Sequence, residues 1–235
     1  MLPDFLPHVD STFTYNFAGE SISKASNFSL DLVDMQTSER HMVKLPTDQP
    51  LWDRFFTIAP LVLIGTREED GRDNLAPKHM ALPLGWDNYF AFVCAPTHRT
   101  YQNIVRTGSF TVSYLRASQV VTTSLAASPR AVDDTKPGLL ALPTFPAANV
   151  EGCFAEDGYL FLACRLERII DDFGPNSLIV GTVSEAYVRE EALRISERED
   201  EDVVRDTKML AYVSPGRFAA IEHSYNFPFP AGYRR

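Results

Sequence analysis

Leu61-Val-Leu-Ile-Gly-Thr66 is an apolar, β-branched run that ends in the turn signal Glu68-Glu-Asp-Gly71 and predicts a strand. Tyr89-Phe-Ala-Phe-Val-Cys-Ala95, stopped by Pro96, predicts a second, and the alternation of Phe110-Thr-Val-Ser-Tyr-Leu115 a third. Between these two, Thr100 to Arg106 has the length of a short helix, with Thr100 as N-cap and Gly108 as its stop. Tyr159 to Ile170 and Leu178 to Val188 read as longer strands around a turn at Asp171–Asn176, and Arg217 to Glu222 as the last strand. Helices are expected over Gln119–Ala127 and over the densely charged Ile195–Leu210. The charges of that second helix read as a solvated face. Asp70-Gly71-Arg-Asp-Asn74-Leu-Ala-Pro-Lys78-His79 reads as a loop.

Residues 1–45 differ from the rest. Thr12 to Phe17 alternates with Phe13, Tyr15 and Phe17 on one side, suggesting a short strand, and a Ser- and Asp-rich stretch follows to Arg40. So many aromatics are unusual in a free tail, so this stretch is expected to be an extension packed on the domain or on a second subunit, with residues 46–235 as the domain. Strands with short turns and few helices argue for a closed barrel or sandwich with helical insertions.

Composition narrows the function. With 235 residues, 45% apolar and 23% charged, the chain can bury a real core without disulfides or metals. The formal charge of −9, with no basic cluster, disfavours nucleic acid as a partner. No apolar run reaches the ~18 residues of a membrane span. Neither a signal peptide nor a CxxC pair is visible, so Cys94, Cys153 and Cys164 read as buried thiols of a cytoplasmic protein. No His or Cys spacing suggests a metal, and GxGxxG and GxxxxGK are absent.

Two stretches could carry chemistry. Asn74-Leu-Ala-Pro77 would expose backbone N–H and C=O groups, which suit the amide edge of a planar heterocycle. Arg99 and Thr100 stand where a helix begins, so free N–H groups, the helix dipole, a hydroxyl and a guanidinium converge as on a phosphate. An ordinary turn followed by a capped helix fits the same residues. Lys78 reads equally as a solvated cation, and His223 as a packed strand histidine.

The order Leu61–Thr66, Asp70-Gly71, Asn74-Leu-Ala-Pro77, Arg99-Thr100, Asn103-Ile104 and Thr107-Gly108-Ser-Phe110-Thr-Val112 resembles the flavin reductase-like family, the FMN-binding split barrels. Asp133-Asp-Thr-Lys136, Leu162-Ala-Cys164, Ile179–Val183, Gly216-Arg217 and Tyr225 follow in the family's order, so the resemblance runs from about Phe55 to Tyr225. It implies a mainly β, Greek-key split β-barrel, a homodimer, and FMN near the subunit interface, with FAD as the other flavin to consider. By the same resemblance Thr66, Asn74, Leu75, Ala76, Lys78 and His79 would contact the flavin ring and ribityl chain. Arg99, Thr100 and Asn103 would hold the phosphate end.

Two positions depart from the family's habit. His79 stands where a small hydroxyl residue is common, and could serve as a proton donor or as a hydrogen-bonded filler. Asn176 and Ser177 stand where nicotinamide-using reductases often carry His. The leading expectation is an NAD(P)H-dependent flavin reductase that passes electrons onward to oxygen, a partner monooxygenase or a small substrate. The alternatives are a flavoenzyme with tightly bound FMN acting on a dedicated organic substrate, and a flavin-binding or electron-carrier protein without turnover.

Overall fold

The computed structural model describes residues 41–232. The chain divides between Lys44 and Leu45, and the architecture below is that of the second unit. The strand expected at Thr12–Phe17, and with it nearly all of the extension, lies outside the described residues.

Twelve strands and three short α-helices follow one another: β1 (Thr57–Pro60), β2 (Val62–Arg67), β3 (Asp73–Lys78), β4 (Ala81–Pro83), β5 (Tyr89–Cys94), α1 (Arg99–Thr107), β6 (Ser109–Tyr114), α2 (Val120–Leu125), β7 (Thr144–Pro146), β8 (Cys153–Ala155), β9 (Leu160–Phe173), β10 (Asn176–Val188), α3 (Asp200–Thr207), β11 (Met209–Ser214) and β12 (Arg217–Ile221). Seven strands form one antiparallel sheet in the order β3-β2-β6-β9-β10-β5-β4. β1-β11-β12 and β7-β8 make two smaller sheets. No described helix is long and apolar enough to cross a membrane.

The connection between β3 and β4 dictates the curvature of the large sheet. These strands are its two edges, yet only His79 and Met80 separate them. Six inter-strand spacings would put the edges of a flat sheet about 29 Å apart. Three Cα steps span at most ~11 Å. The sheet therefore curls until its edges meet, a barrel split along a seam at residues 78–81.

The continuous apolar run of β2 follows from its position. Val62 and Ile64 point into the barrel with Phe90, Phe92, Phe110, Val112 and Ile179. Leu63 points the other way, packing with Leu75, Leu115, Leu142, Cys153 and Leu210. Both faces are covered, so the strand has no polar alternation until Thr66. Between them Gly65 lets β8 cross: a Cβ there would lie 2.0 Å from the Cys153 carbonyl oxygen and 2.3 Å from Thr111 Oγ1.

Several expectations are corrected. The stretch read as a loop at residues 70–79 is largely β3, with Asn74 opposite Thr66 and Pro77 opposite Leu63. A proline is tolerated because β3 is an edge strand whose outward groups need no ladder partner. α1 begins at Arg99 with His98 as its N-cap, while the Thr100 hydroxyl is engaged by Asn74. Its predicted stop is as read: Gly108 adopts φ 67° and donates its N–H to the Ile104 carbonyl at 2.8 Å. The charged helix is shorter than Ile195–Leu210, because Lys208 at φ 51° ends it and Met209 starts β11 between β1 and β12. β9 runs on to Phe173, so the turn to β10 is only Gly174-Pro175. β6, β10 and β12 fall within a residue or two of expectation.

Candidate functional site

β2 and β3 end beside the start of α1, and their polar residues meet there. Strand periodicity puts Asn74, Ala76 and Lys78 on one face of β3, with Thr66 opposite Asn74 on β2. Thr66, Asn74, Thr100 and Asn103 are all buried. Asn74 Nδ2 donates to Thr66 Oγ1 at 3.1 Å and lies 3.3 Å from Thr100 Oγ1, and Asn103 Nδ2 donates to Thr66 Oγ1 at 3.1 Å. Ile104, next to Asn103 on α1, is fully buried in the barrel core and fixes the helix against the strands. Burying four polar side chains is tolerable because each finds a partner among the others.

Charged groups surround this network. Arg130, from the connection after α2, donates to Glu68 and, at 3.2 Å, to Asn74 Oδ1; a second nitrogen donates to the Asp134 carbonyl at 2.8 Å. Arg99 donates to the Asp134 carboxylate, and its Nε lies 3.7 Å from Glu68. Lys136 Nζ donates to the Leu75 carbonyl at 2.8 Å. Burial, then Arg130 and Lys78, push the Lys136 ammonium down to about 8, with Glu68 working in the opposite direction. Arg99, Gln102, Asn103 and Arg106 of α1 also line an open cleft of about 390 Å³, facing Glu68 to Asp70, Arg72 and Asp134.

The expected site residues are therefore not all equivalent. Thr66, Asn74, Thr100 and Asn103 form one network, with Arg99 at its rim. Leu75 turns its side chain into the second core cluster, so only its backbone faces the site. Ala76 lies half-buried on the Asn74 face. Lys78 and His79 sit further along, at the barrel seam, where the His79 ring meets Tyr212 of β11 with centroids 4.5 Å apart. Burial, with Lys78 adding to it, lowers the His79 pKa, so the imidazole is neutral at pH 7. Cys94 Sγ lies 3.9 Å from His98 Nδ1, and burial raises its thiol, which keeps it protonated. Ser177, buried opposite Cys94, donates to Asp171 at 2.6 Å, and the Tyr101 hydroxyl lies 3.5 Å from the same carboxylate.

Glu68, Arg130 and Lys136 were not among the expected site residues. Arg130 lies 62 residues from Glu68 along the chain, and no local pattern pairs them. The available signal was Glu68 itself, an acid directly after an apolar strand, where burial demands a cation. Among the described residues no three His, Cys, Asp or Glu side chains are grouped as a metal site requires.

A family described as the flavin reductase like domain matches residues 55–206, about two-thirds of the chain. The fold is similar to that of nitrilotriacetate monooxygenase component B from Bacillus cereus, with a TM-score of 0.70 at 15% identity over 80% of this chain and 100% of that one. It is similar to the flavoredoxin of Desulfovibrio vulgaris (Miyazaki F), with a TM-score of 0.64 at 21% identity over 75% and 93%. An FMN-binding protein from Thermus thermophilus, solved with p-hydroxybenzaldehyde, gives a TM-score of 0.61 at 20% identity over 82% and 99%.

Proposed function

The chain belongs to the flavin reductase-like family, and from that premise we propose that it is an FMN-binding oxidoreductase that draws its hydride from NADH or NADPH. The observation that carries this reading is the free edge of β3 beside the Thr66-Asn74-Thr100-Asn103 network and the start of α1. An edge strand turns alternate N–H and C=O groups away from its neighbour, which suits the amide edge of an isoalloxazine. The first N–H groups of α1, with Arg99, suit a phosphate. These donors and acceptors fit FMN in kind, and the likeness to an FMN-binding protein of Thermus thermophilus supports the choice of flavin.

When bound, FMN supplies a centre that accepts a hydride and gives up electrons one or two at a time. The protein's part is orientation and shielding. Asn74 and Asn103 hold the Thr66 hydroxyl, so the strand ends cannot shift against α1. Arg99, Thr100 and Asn103 would hold the phosphate end; the β3 backbone at Leu75 and Ala76, with Lys78, would hold the ring. His79, its ring tilted at 36° to that of Tyr212, is the candidate to contact substrate at the seam, and it can donate a proton only through its minor imidazolium form. The likeness to a monooxygenase component B supports delivery of electrons to a separate oxygenase. The family resemblance supports a homodimer, and the three buried, unpaired thiols a cytoplasmic setting.

A second reading has a specific observation behind it. Where nicotinamide-using relatives often carry His, Ser177 and Tyr101 both engage Asp171, which favours a dedicated organic substrate over free nicotinamide. One anaerobic titration separates the two. The protein is given one equivalent of FMN, then NADH, then NADPH, with absorbance followed near the flavin band. A spectral shift on adding FMN and bleaching within seconds of a nicotinamide are expected. Flavin that binds and stays oxidised under both donors would replace the reductase reading with the dedicated enzyme or the carrier.

A further inference from the structure

Cations outnumber their carboxylate partners around β3. Lys78 on β3, Arg99 on α1, and Arg130 and Lys136 on the connection after α2 surround it. Arg99 and Arg130 share Glu68 and Asp134. Among the described residues neither Lys78 nor Lys136 forms a salt bridge. Lys136 is the more telling of the two. Its ammonium is half-buried, it is anchored on the Leu75 carbonyl at 2.8 Å, and Leu75 lies on the free strand edge where the heterocycle is expected. A long cationic side chain held there without an ion-pair partner carries a desolvation cost that Glu68 offsets only in part.

Resting on the FMN reading above, we propose that Lys136 is a further cofactor-binding residue whose ammonium neutralises an electron-rich or anionic oxygen of the flavin docked on β3. Only the protonated lysine then binds. The charged groups that act on it are Arg130 on its own connection, Lys78 on β3 and Glu68 after β2; Arg99 and Asp134 pair in turn with Glu68 and Arg130. With the ammonium held near 8 in the free protein, most of the population is neutral at pH 9. Binding there must take one proton from the buffer.

The test is calorimetry of FMN binding at pH 7, 8 and 9 in buffers of differing ionisation enthalpy, with riboflavin as a parallel ligand. The wild-type Kd is expected to weaken about tenfold from pH 7 to 9, with uptake approaching one proton per flavin at pH 9. Lys136→Met should bind more weakly at pH 7, with no pH dependence and no proton uptake. Lys136→Arg keeps a permanent cation, so it should bind at pH 7 and stay flat to pH 9, which guards against a variant that merely misfolds. The same pH dependence for riboflavin assigns the contact to the ring; its restriction to FMN assigns it to the phosphate. Wild-type affinity that is flat from pH 7 to 9, or Lys136→Met retaining the tenfold change, would overturn the proposal and leave the FMN reading intact. A protein that binds no flavin at pH 7 would overturn both.

Discussion

Thr66 Oγ1 is the point on which the buried network converges, because it accepts from Asn74 and Asn103 at once. Removing that oxygen while keeping the side-chain shape orphans the Asn103 amide and leaves Asn74 Nδ2 only its longer contact to Thr100. A buried donor left without an acceptor costs about 1–3 kcal/mol. Thr66→Val is therefore expected to lower stability by about 2 kcal/mol, read from the urea midpoint, with Thr66→Ser recovering most of it. A Val variant within 0.5 kcal/mol of wild type would show that the network is not a stabilising unit. Of these four side chains, Asn74 and Thr100 stood out in the sequence by loop composition and helix start, while Thr66 and Asn103 were singled out only through the family resemblance. Glu68, Arg130 and Lys136 were not, since what joins them is the folding of a long connection back onto β2 and β3. His79 was singled out as a possible proton donor; its burial beside Lys78 makes it a neutral imidazole at pH 7, and a weaker reservoir of protons than an exposed one.

Among the elements, strands with both faces buried or with clean alternation, such as β2, β6 and β10, declared themselves. Those that did not were small or at edges. β3 holds Asn and Pro, which turn rules assign to loops, and only its edge position makes a strand of it. The first two residues of β11, Met209 and Leu210, were read as the tail of a charged helix, and the left-handed Lys208 that interrupts it has no strong local signature. The crossing of β8 over β2 depends on Gly65, where a methyl group would strike the Cys153 backbone oxygen and the Thr111 hydroxyl that donates to it. Gly65→Ala is expected to destabilise by roughly 3 kcal/mol, at the upper end of overpacking costs, with near-ultraviolet circular dichroism reporting loosened aromatic packing. An unchanged unfolding midpoint would mean that β8 moves away freely and contributes little to the core.

At the scale of the whole molecule, buried thiols and phenols set the alkaline limit. Burial raises Tyr114 and Tyr159 to about 12, Cys164 to about 12, and Cys153 further still. In the unfolded chain thiols and phenols lose their protons near their ordinary values, about 8.5 and 10. Above those values the unfolded state binds fewer protons than the folded one, so stability falls as pH rises through 9 to 12. Lys136 works the other way from about 8 to its ordinary 10.5, because the folded state gives up that proton first. With Cys94, also raised by burial, five groups stand against one and leave a net loss. The urea midpoint should decline from pH 8.5 to 10.5, less steeply in a Cys153→Ala, Cys164→Ala double variant, and a flat wild-type profile would contradict the burial of these thiols.

The strand order also governs when the barrel can exist at all. β5 and β6 follow one another in the chain, yet β9 and β10 stand between them in the sheet. The hairpins β2-β3 and β4-β5 form from neighbouring segments, but each waits for a strand made far later, since β5 pairs with β10 some 85 residues downstream. During synthesis, Phe90, Phe92 and Phe110 therefore emerge long before their covering strands. The β9-β10 hairpin acts as a keystone: laid last, it turns two separate arches into a vault, and the nascent chain is most exposed to aggregation until it arrives.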